Sequence, residues 1–365
     1  MPVEIVGDQI AAIPRRRLKS ILKNPVKTAE AVNLVYMGDN AAGIERRKTE
    51  DGFEYLFEGK KVEDEETLLR IKRLVLPPAW ESVWISPIEN GHLQATGLDA
   101  KKRKQYKYHA SWNALRNHTK FYRLYQFGTV LPALRLKLEK DLSKQGLPQE
   151  KVLATVVSLM ERTNIRVGNS SYEKANGSFG ITTLKDKHVQ VSGSSIKFIF
   201  KGKKGVHHNI NFKSKKLAAI VKRCQDIPGK ELFQYYDENN VVRDIDSGMV
   251  NDYIKGMTEG DYTAKDLRTW SGTVQALLAF KELGLSETQT ETKRNIVQAL
   301  DRVSEALGNT RTVCKKYYVH PLIISLYETK TLENYLKQLN KLEVDDNKSG
   351  LTQEEHVLMN ILKSN

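Results

Sequence analysis

The chain has 365 residues, with 58 Lys and Arg against 44 Asp and Glu, so it carries a formal net charge of +14 on an otherwise ordinary 40% hydrophobic composition. That length suits two or three domains with a sizeable core, and no apolar run reaches the roughly 20 residues that cross a bilayer. The first residues lack the basic-then-apolar order of a secretory leader. Two cysteines, Cys224 and Cys314, exclude a disulfide scaffold and a zinc site built from cysteines. A cytoplasmic protein with a polyanionic partner is the expectation from these features.

In chain order, residues 1–28 read as a basic arm bearing Arg15, Arg16, Arg17, Lys19, Lys23 and Lys27. A small, mainly β domain is predicted over 29–110. There Phe53 to Phe57 and Val83 to Ile85 favour strands, and Asp51-Gly52, Pro77-Pro78 and Asn90-Gly91 mark turns. One helix is expected at Glu65–Leu74. The stretch Lys101 to Tyr108 holds five bases and two aromatics with no acid, a composition that suits contact with phosphates.

From 111 to 342 the pattern becomes mainly helical. Val152, Leu153, Val156, Val157 and Met160 recur at helical steps, as do apolar residues in 274–283, 296–307 and 322–342. One interruption is β. Ile196, Phe198 and Phe200 alternate before Lys201-Gly-Lys-Lys-Gly205, and Ile210 and Phe212 resume the alternation, which predicts a hairpin with Lys203 at its tip. Residues 343–365 read as an acidic tail. The fold class is therefore α+β: a small mainly β domain followed by a larger mainly α domain with an embedded sheet.

Several segments carry candidate chemistry. Arg166 lies in Asn164-Ile-Arg-Val-Gly-Asn169, after a helix end, where an arginine also complements the dipole. The Lys201–Gly205 run lacks the first glycine and the Lys-Ser/Thr ending of a nucleotide-binding loop, and it joins two strands, so that reading is rejected. Asp266 is expected to cap a helix and leave Arg268 in its first turn, where a cation opposes the dipole unless an anion faces it. Tyr317 and Tyr318 precede His320-Pro321. His207, His208 and His320 show no metal-ligand spacing, and Cys314, beside lysines but without a partner thiol, reads as structural.

In their order and context these segments resemble the type IB DNA topoisomerases, in particular the compact bacterial and poxvirus-like branch. The resemblance runs from about Val35 to Glu328. It is carried by Leu76-Pro-Pro-Ala-Trp80, Gly91-His-Leu-Gln-Ala-Thr-Gly97, Arg103-Lys-Gln-Tyr106, Arg166-Val-Gly-Asn169, Lys265-Asp-Leu-Arg-Thr-Trp270, and Leu307-Gly-Asn-Thr310 through Tyr318-Val-His-Pro321. A tyrosine recombinase is disfavoured because its second arginine sits in a His-x-x-Arg motif, where this chain has Lys265-Asp-Leu-Arg268. A passive DNA-binding protein would explain the charge but not the ordered set.

The resemblance implies Tyr318 as nucleophile, nine residues after Asn309, with Arg166, Arg268 and Asn309 assisting and Lys203 as the hairpin lysine. The Asn309 position is often histidine in the family, so here a neutral donor replaces a cationic one. The implied reaction breaks one DNA strand through a 3′-phosphotyrosyl link and reseals it, relaxing supercoils of either sign. No cofactor, metal or ATP is expected. The two domains are expected to clamp duplex DNA, with the protein acting as a monomer associated with the nucleoid. Arg103, Lys104, Gln105, Tyr106, Tyr108, Lys201 and Lys204 are the expected backbone contacts, and His92 and Gln94 the candidates for reaching base edges.

Overall fold

The computed structural model describes residues 24–100, 104–169, 173–174, 176–258, 262–339 and 350–364. Most of the expected arm, Arg103 and the first part of the expected acidic tail lie outside the described residues. The chain divides into two units between Tyr122 and Arg123.

In the first unit, α1 (Pro25–Glu30) is capped by the Asn24 side chain, which accepts from Val26 N at 2.9 Å. Ala29, Val32 and Leu34 pack with Trp112 and Leu115, so residues 25–28 belong to a folded element and not to an open arm. A six-stranded antiparallel sheet follows, in the order β3-β2-β1-β4-β5-β6. Its strands are β1 (Ile44–Thr49), β2 (Gly52–Phe57), β3 (Lys60–Lys61), β4 (Glu81–Ile85), β5 (Leu93–Leu98) and β6 (Lys104–Tyr108). Between β3 and β4 lies α2 (Glu65–Arg73), whose cap Asp64 accepts from Thr67 N at 2.8 Å. Acids in its first turn and bases in its last suit the helix dipole. Ile71 of α2 packs on Ile44, Val83, Ile85 and Ala95. Arg46 donates to the carbonyls of Pro77 at 3.0 Å and Trp80 at 2.8 Å, which fixes the Pro-Pro-Ala-Trp turn against β1. The edge strand β6 is rich in lysine, as exposed edges commonly are.

The long helix α3 (Ala110–Leu142) contains the boundary between the units. The second unit is built around α4 (Gln149–Thr163), which is buried along most of its length. A three-stranded sheet, β7 (Val189–Ser192), β8 (Ser195–Lys201) and β9 (His207–Lys213), packs nearby. On β8, Ile196, Phe198 and Phe200 face the core with the expected period of two. The predicted hairpin is present, with pairing that runs from Ser195↔Lys213 to Lys201↔His207. Then come α5 (Lys215–Gln225), the small ribbon β10 (Gln234–Tyr236) and β11 (Val242–Asp244), and α6 (Ser247–Thr258). The helices α7 (Ala264–Leu283), α8 (Gln289–Leu307) and α9 (Arg311–Tyr317) follow.

Two sequence expectations change here. Within the apolar stretch 322–342, the described residues form two helices, α10 (Pro321–Glu328) and α11 (Glu333–Leu339). They are separated at Lys330, whose φ of 61° is left-handed. The expected acidic tail contains α12 (Gln353–Ser364), and Val357, Leu358, Ile361 and Leu362 bury its apolar face in the main core. Its acids are not all solvated: Glu355 is 5% exposed. Among the described residues no helix is long and apolar enough to cross a membrane.

Candidate active site

Three backbone segments frame the site. The first follows α4, which ends at Asn164 in the left-handed region at φ 56°. Beyond it, the carbonyls of Arg166 and Val167 accept from Ile181 N at 2.8 Å and Thr182 N at 2.9 Å. Gly168, at φ 96°, lies against Gly180, where a Cβ would fall 2.4 Å from the Gly168 Cα. The approach of these two loops requires glycine, and it fixes the backbone from which Arg166 projects.

The second segment is the start of α7. Thr263 is its N-cap, and Asp266 closes a capping box by accepting from Thr263 N and Oγ1, each at 2.9 Å. Asp266 is therefore the third helical residue, not the cap, and Arg268 lies beyond the first turn. The expected conflict with the helix dipole is correspondingly weaker.

The third segment joins α8 to α10. Gly308 ends α8 at φ 56°, and Thr310 caps α9. Tyr318 follows α9, its N–H donating to Cys314 O at 2.9 Å. Gly272, one turn after Arg268 on α7, lets the helix close on the tyrosine, since a Cβ there would lie 2.8 Å from Tyr318 O. The buried Thr273 hydroxyl is shared between the carbonyls of Thr269 and Tyr318, and it accepts from His320 N at 3.2 Å. Gly272 and Thr273 thus position the tyrosine segment, although nothing in their local sequence distinguishes them from ordinary helix residues.

These segments bring Arg166, Arg268, Asn309 and Tyr318 together. Arg268 donates to the carbonyls of Asn164 and Leu307, and Arg166 donates to the carbonyl of Gly308 and to Asn309 Oδ1. Neighbouring carbonyls at 307 and 308 therefore hold two guanidinium groups side by side. The Arg268 Cζ lies 5.3 Å from the centre of the Tyr318 ring, a cation–π contact. Two donors remain buried without a partner: Arg268 Nε and Asn309 Nδ2. Because Asn309 gives its oxygen to Arg166, its amide N–H groups are left to meet something else.

The electrostatics match an anion site. Arg268 is 4% exposed, and burial lowers its pKa from the usual arginine value. Burial, followed by the Arg268 charge, pulls Arg166 down to about 10. Among the described residues neither guanidinium has a carboxylate partner. Taking an ion out of water costs several kcal/mol unless it is compensated, so an anion between these groups would relieve both the burial and the mutual repulsion. His208, on β9, feels the same field: burial, then Arg166 and Arg268, push it down to about 4. Sequence reading set His208 aside with the metal question; its alternation on a strand gave no signal that it faced this cluster. Cys314 is fully buried with its thiol raised to about 11 by burial, in keeping with a structural thiol. Among the described residues no three His, Cys, Asp or Glu side chains gather in metal-holding geometry.

The other candidates divide. Lys203 is exposed in the turn between β8 and β9, flanked by exposed Lys201 and Lys204. Tyr106 is exposed on β6, and its ring is parallel to that of Tyr108. Lys104 is ion-paired with Asp39, and Gln105 donates to Asp99 at 3.0 Å. His92 and Gln94, the candidates for base edges, are buried in the first unit. His92 is buried with its Nδ1 accepting from Met37 N at 3.1 Å, and its ring stacks on Tyr36. Gln94 is buried and donates to the carbonyls of Glu89 and Gly91. Both side chains therefore hydrogen-bond to protein within the first unit.

Comparison with known proteins agrees with this geometry. Residues 103–345 match the family model of the eukaryotic DNA topoisomerase I catalytic core, and residues 52–99 match that of the bacterial DNA topoisomerase IB N-terminal domain. The chain belongs to the type IB DNA topoisomerase family. It is 30% identical to the DNA topoisomerase 1B of Acanthamoeba polyphaga mimivirus, across 83% of this chain and 92% of the relative. Identity is 25% to the DNA topoisomerase 1B of Vaccinia virus (strain Copenhagen), across 73% of this chain and 81% of the relative. This topoisomerase is an isomerase that acts on DNA and relaxes it by single-strand cleavage. Its N-terminal match covers much of the six-stranded sheet, and its core match contains Arg166, Lys203, Arg268, Asn309 and Tyr318.

Proposed function

We propose that Tyr318 cleaves one DNA strand by attacking a backbone phosphorus, with Arg166, Arg268 and Asn309 stabilising the charge that develops. The observation that carries this reading is the buried Arg268 guanidinium beside the Tyr318 ring, with the half-buried Arg166 next to it, neither having a carboxylate partner among the described residues. In the forward step the Tyr318 Oη–P bond forms and the P–O5′ bond breaks, leaving the phosphate joined to tyrosine and to the 3′ side of the nick. The phenol gives up its proton to solvent water during attack. The departing 5′-oxygen takes a proton from Lys203, the general acid on the hairpin turn. Once the broken strand has rotated, attack by the 5′-hydroxyl reverses each transfer. The tyrosyl ester keeps the phosphodiester free energy, so resealing needs no ATP, and the protein's own cations serve where another enzyme uses a metal.

The substrate is supercoiled duplex DNA of either sign, and one chain acts as a monomer, since Tyr318, Arg166, Arg268 and Asn309 all come from the same unit. Tyr106 and Tyr108 with Lys104 and Gln105 on β6, the neighbouring Arg103, and Lys201 and Lys204 beside the catalytic lysine are assigned to backbone contacts. The bacterial-type N-terminal match supports a nucleoid-associated, cytoplasmic setting. Relaxation assays on positively and negatively supercoiled plasmid, in EDTA and without ATP, test the reading. Relaxation of both substrates is expected. DNA binding without relaxation, or recombination between defined sites without relaxation, would overturn it.

A further inference from the structure

His208 lies in the cluster without a task in the reaction above. In the β8–β9 pairing it is opposite Phe200, and the two rings stack with centres 4.7 Å apart and planes 17° apart. The pairing ends one step later at Lys201↔His207. Gly202 then enters the turn, its N–H donating to Val206 O at 2.7 Å, and Lys203 follows.

The imidazole touches glycine on two sides. A Cβ on Gly202 would lie 2.6 Å from His208 Nε2, and one on Gly308 would lie 2.4 Å from His208 Cε1. Gly202 is the neighbour of Lys203. Gly308 gives its carbonyl to Arg166 and precedes Asn309. One flat ring therefore bridges the turn that carries the proposed acid and the segment that holds the phosphate-gripping groups. At neutral pH the ring is uncharged, because burial and the two arginines push its pKa down to about 4, so it adds no third cation to the site.

We propose that His208 is a positioning residue for leaving-group protonation: wedged between Gly202 and Gly308, its ring sets the Lys203 turn relative to Gly308 and Asn309. The inference rests on the assignment of Lys203 as general acid. A lysine on an exposed turn has many rotamers, and proton transfer requires it within hydrogen-bond reach of the 5′-oxygen. Misplacement by about 1 Å can lower a rate by about 10²-fold. His208 limits that error at the base of the turn, and both glycines leave room for the ring.

The experiment compares single-turnover cleavage of two duplexes that differ in one atom. One has the natural 5′-oxygen at the scissile bond; the other has sulfur. When Tyr318 Oη bonds to phosphorus and the P–S bond breaks, a thiolate leaves, and with a thiol pKa of about 8.5 it needs far less help from an acid than an alkoxide does. His208→Ala should cleave the oxygen substrate about 10²-fold more slowly than wild type and the sulfur substrate at nearly the wild-type rate. Gly202→Ala, which keeps the histidine but pushes on its ring, should show the same selectivity. The ratio of the two rate constants does not depend on the folded fraction, so poor folding does not mask the result. Lys203→Ala is the reference. If sulfur rescues Lys203→Ala but not His208→Ala, or if His208→Ala is not slowed, the inference is overturned alone. If sulfur does not rescue Lys203→Ala, the acid assignment fails and takes the inference with it.

Discussion

The Arg135 cluster and the Arg268 cluster bury the same side chain in opposite ways. Arg135, on α3, donates to Glu355 through two bonds of 2.8 Å and to Glu161 at 2.7 Å. Burial alone would lower its pKa, but the two carboxylates outweigh burial and raise it. Arg268, on α7, meets carbonyl oxygens, keeps an unpartnered Nε, and has its pKa lowered by burial. The first arrangement is complete in the folded chain and ties α12 to α3. It also reaches α7, because Trp270 Nε1 donates to Glu355 Oε1 at 2.8 Å. The second lacks a counter-charge among the described residues, and in the proposed reaction a phosphate supplies one. Compensation, more than burial, separates the arginine that holds the fold from the one proposed to hold a substrate.

The largest effect should leave both clusters intact. Tyr318→Phe removes the nucleophile and should lower the cleavage rate by about 10⁴–10⁶-fold, with DNA affinity in a binding assay close to wild type; Tyr317→Phe should relax plasmid normally. A direct break of the comparison comes next. Arg268→Ala should slow cleavage by about 10²–10³-fold with little loss of thermal stability, since it removes an uncompensated charge. Arg135→Ala should instead destabilise the fold by about 3–5 kcal/mol, because it strands two carboxylates, while the folded fraction cleaves at nearly the normal rate. If Arg268→Ala were the unstable variant and Arg135→Ala the slow one, the comparison would be reversed.

Acid sharpens the contrast. The unfolded chain protonates His208 below about 6.5, whereas the folded value is about 4. The folded state therefore loses stability as pH falls through that window. His92, His109 and His188, whose pKa values are also lowered by burial, act in the same direction. Burial would raise the Glu355 carboxyl, but Arg135 holds it below its usual value. Its contribution is present above that usual value and is lost only as pH falls further, through the depressed one. Melting curves should decline in two stages, and His208→Gln should flatten the upper stage alone. The smallest effect belongs to the exposed surface. Lys104→Ala should weaken DNA binding modestly, reduce the slope of log affinity against log salt by about 1, and leave the cleavage rate constant of the preformed complex unchanged.

Residue order made much of the site legible. Arg166 before Val-Gly, Arg268 in Lys-Asp-Leu-Arg, and the spacing from Asn309 to Tyr318 are local patterns, and the hairpin announced itself by alternation around a glycine-rich turn. What escaped the sequence depends on distant partners. Glu355 looked like part of an acidic tail because its partner Arg135 is far away in the chain. His92 and Gln94 sit in a motif that suggested base contact, yet both are buried, with Gln94 bonded to nearby carbonyls and His92 to the distant Met37 N, which a one-dimensional pattern does not show. His208 matters because two glycines from separate segments meet its ring. The stretch 322–342 keeps helical spacing across Lys330, so periodicity alone did not reveal the break.

The central claim is that Tyr318, beside two uncompensated arginines, becomes covalently joined to DNA. Denaturing the enzyme with SDS during relaxation, digesting it, and mapping the nucleotide-bearing peptide by mass spectrometry tests this most directly. The account predicts a single adduct on Tyr318, linked through a 3′-phosphate; an adduct on Tyr317, a 5′-linkage, or relaxation with no adduct would contradict it.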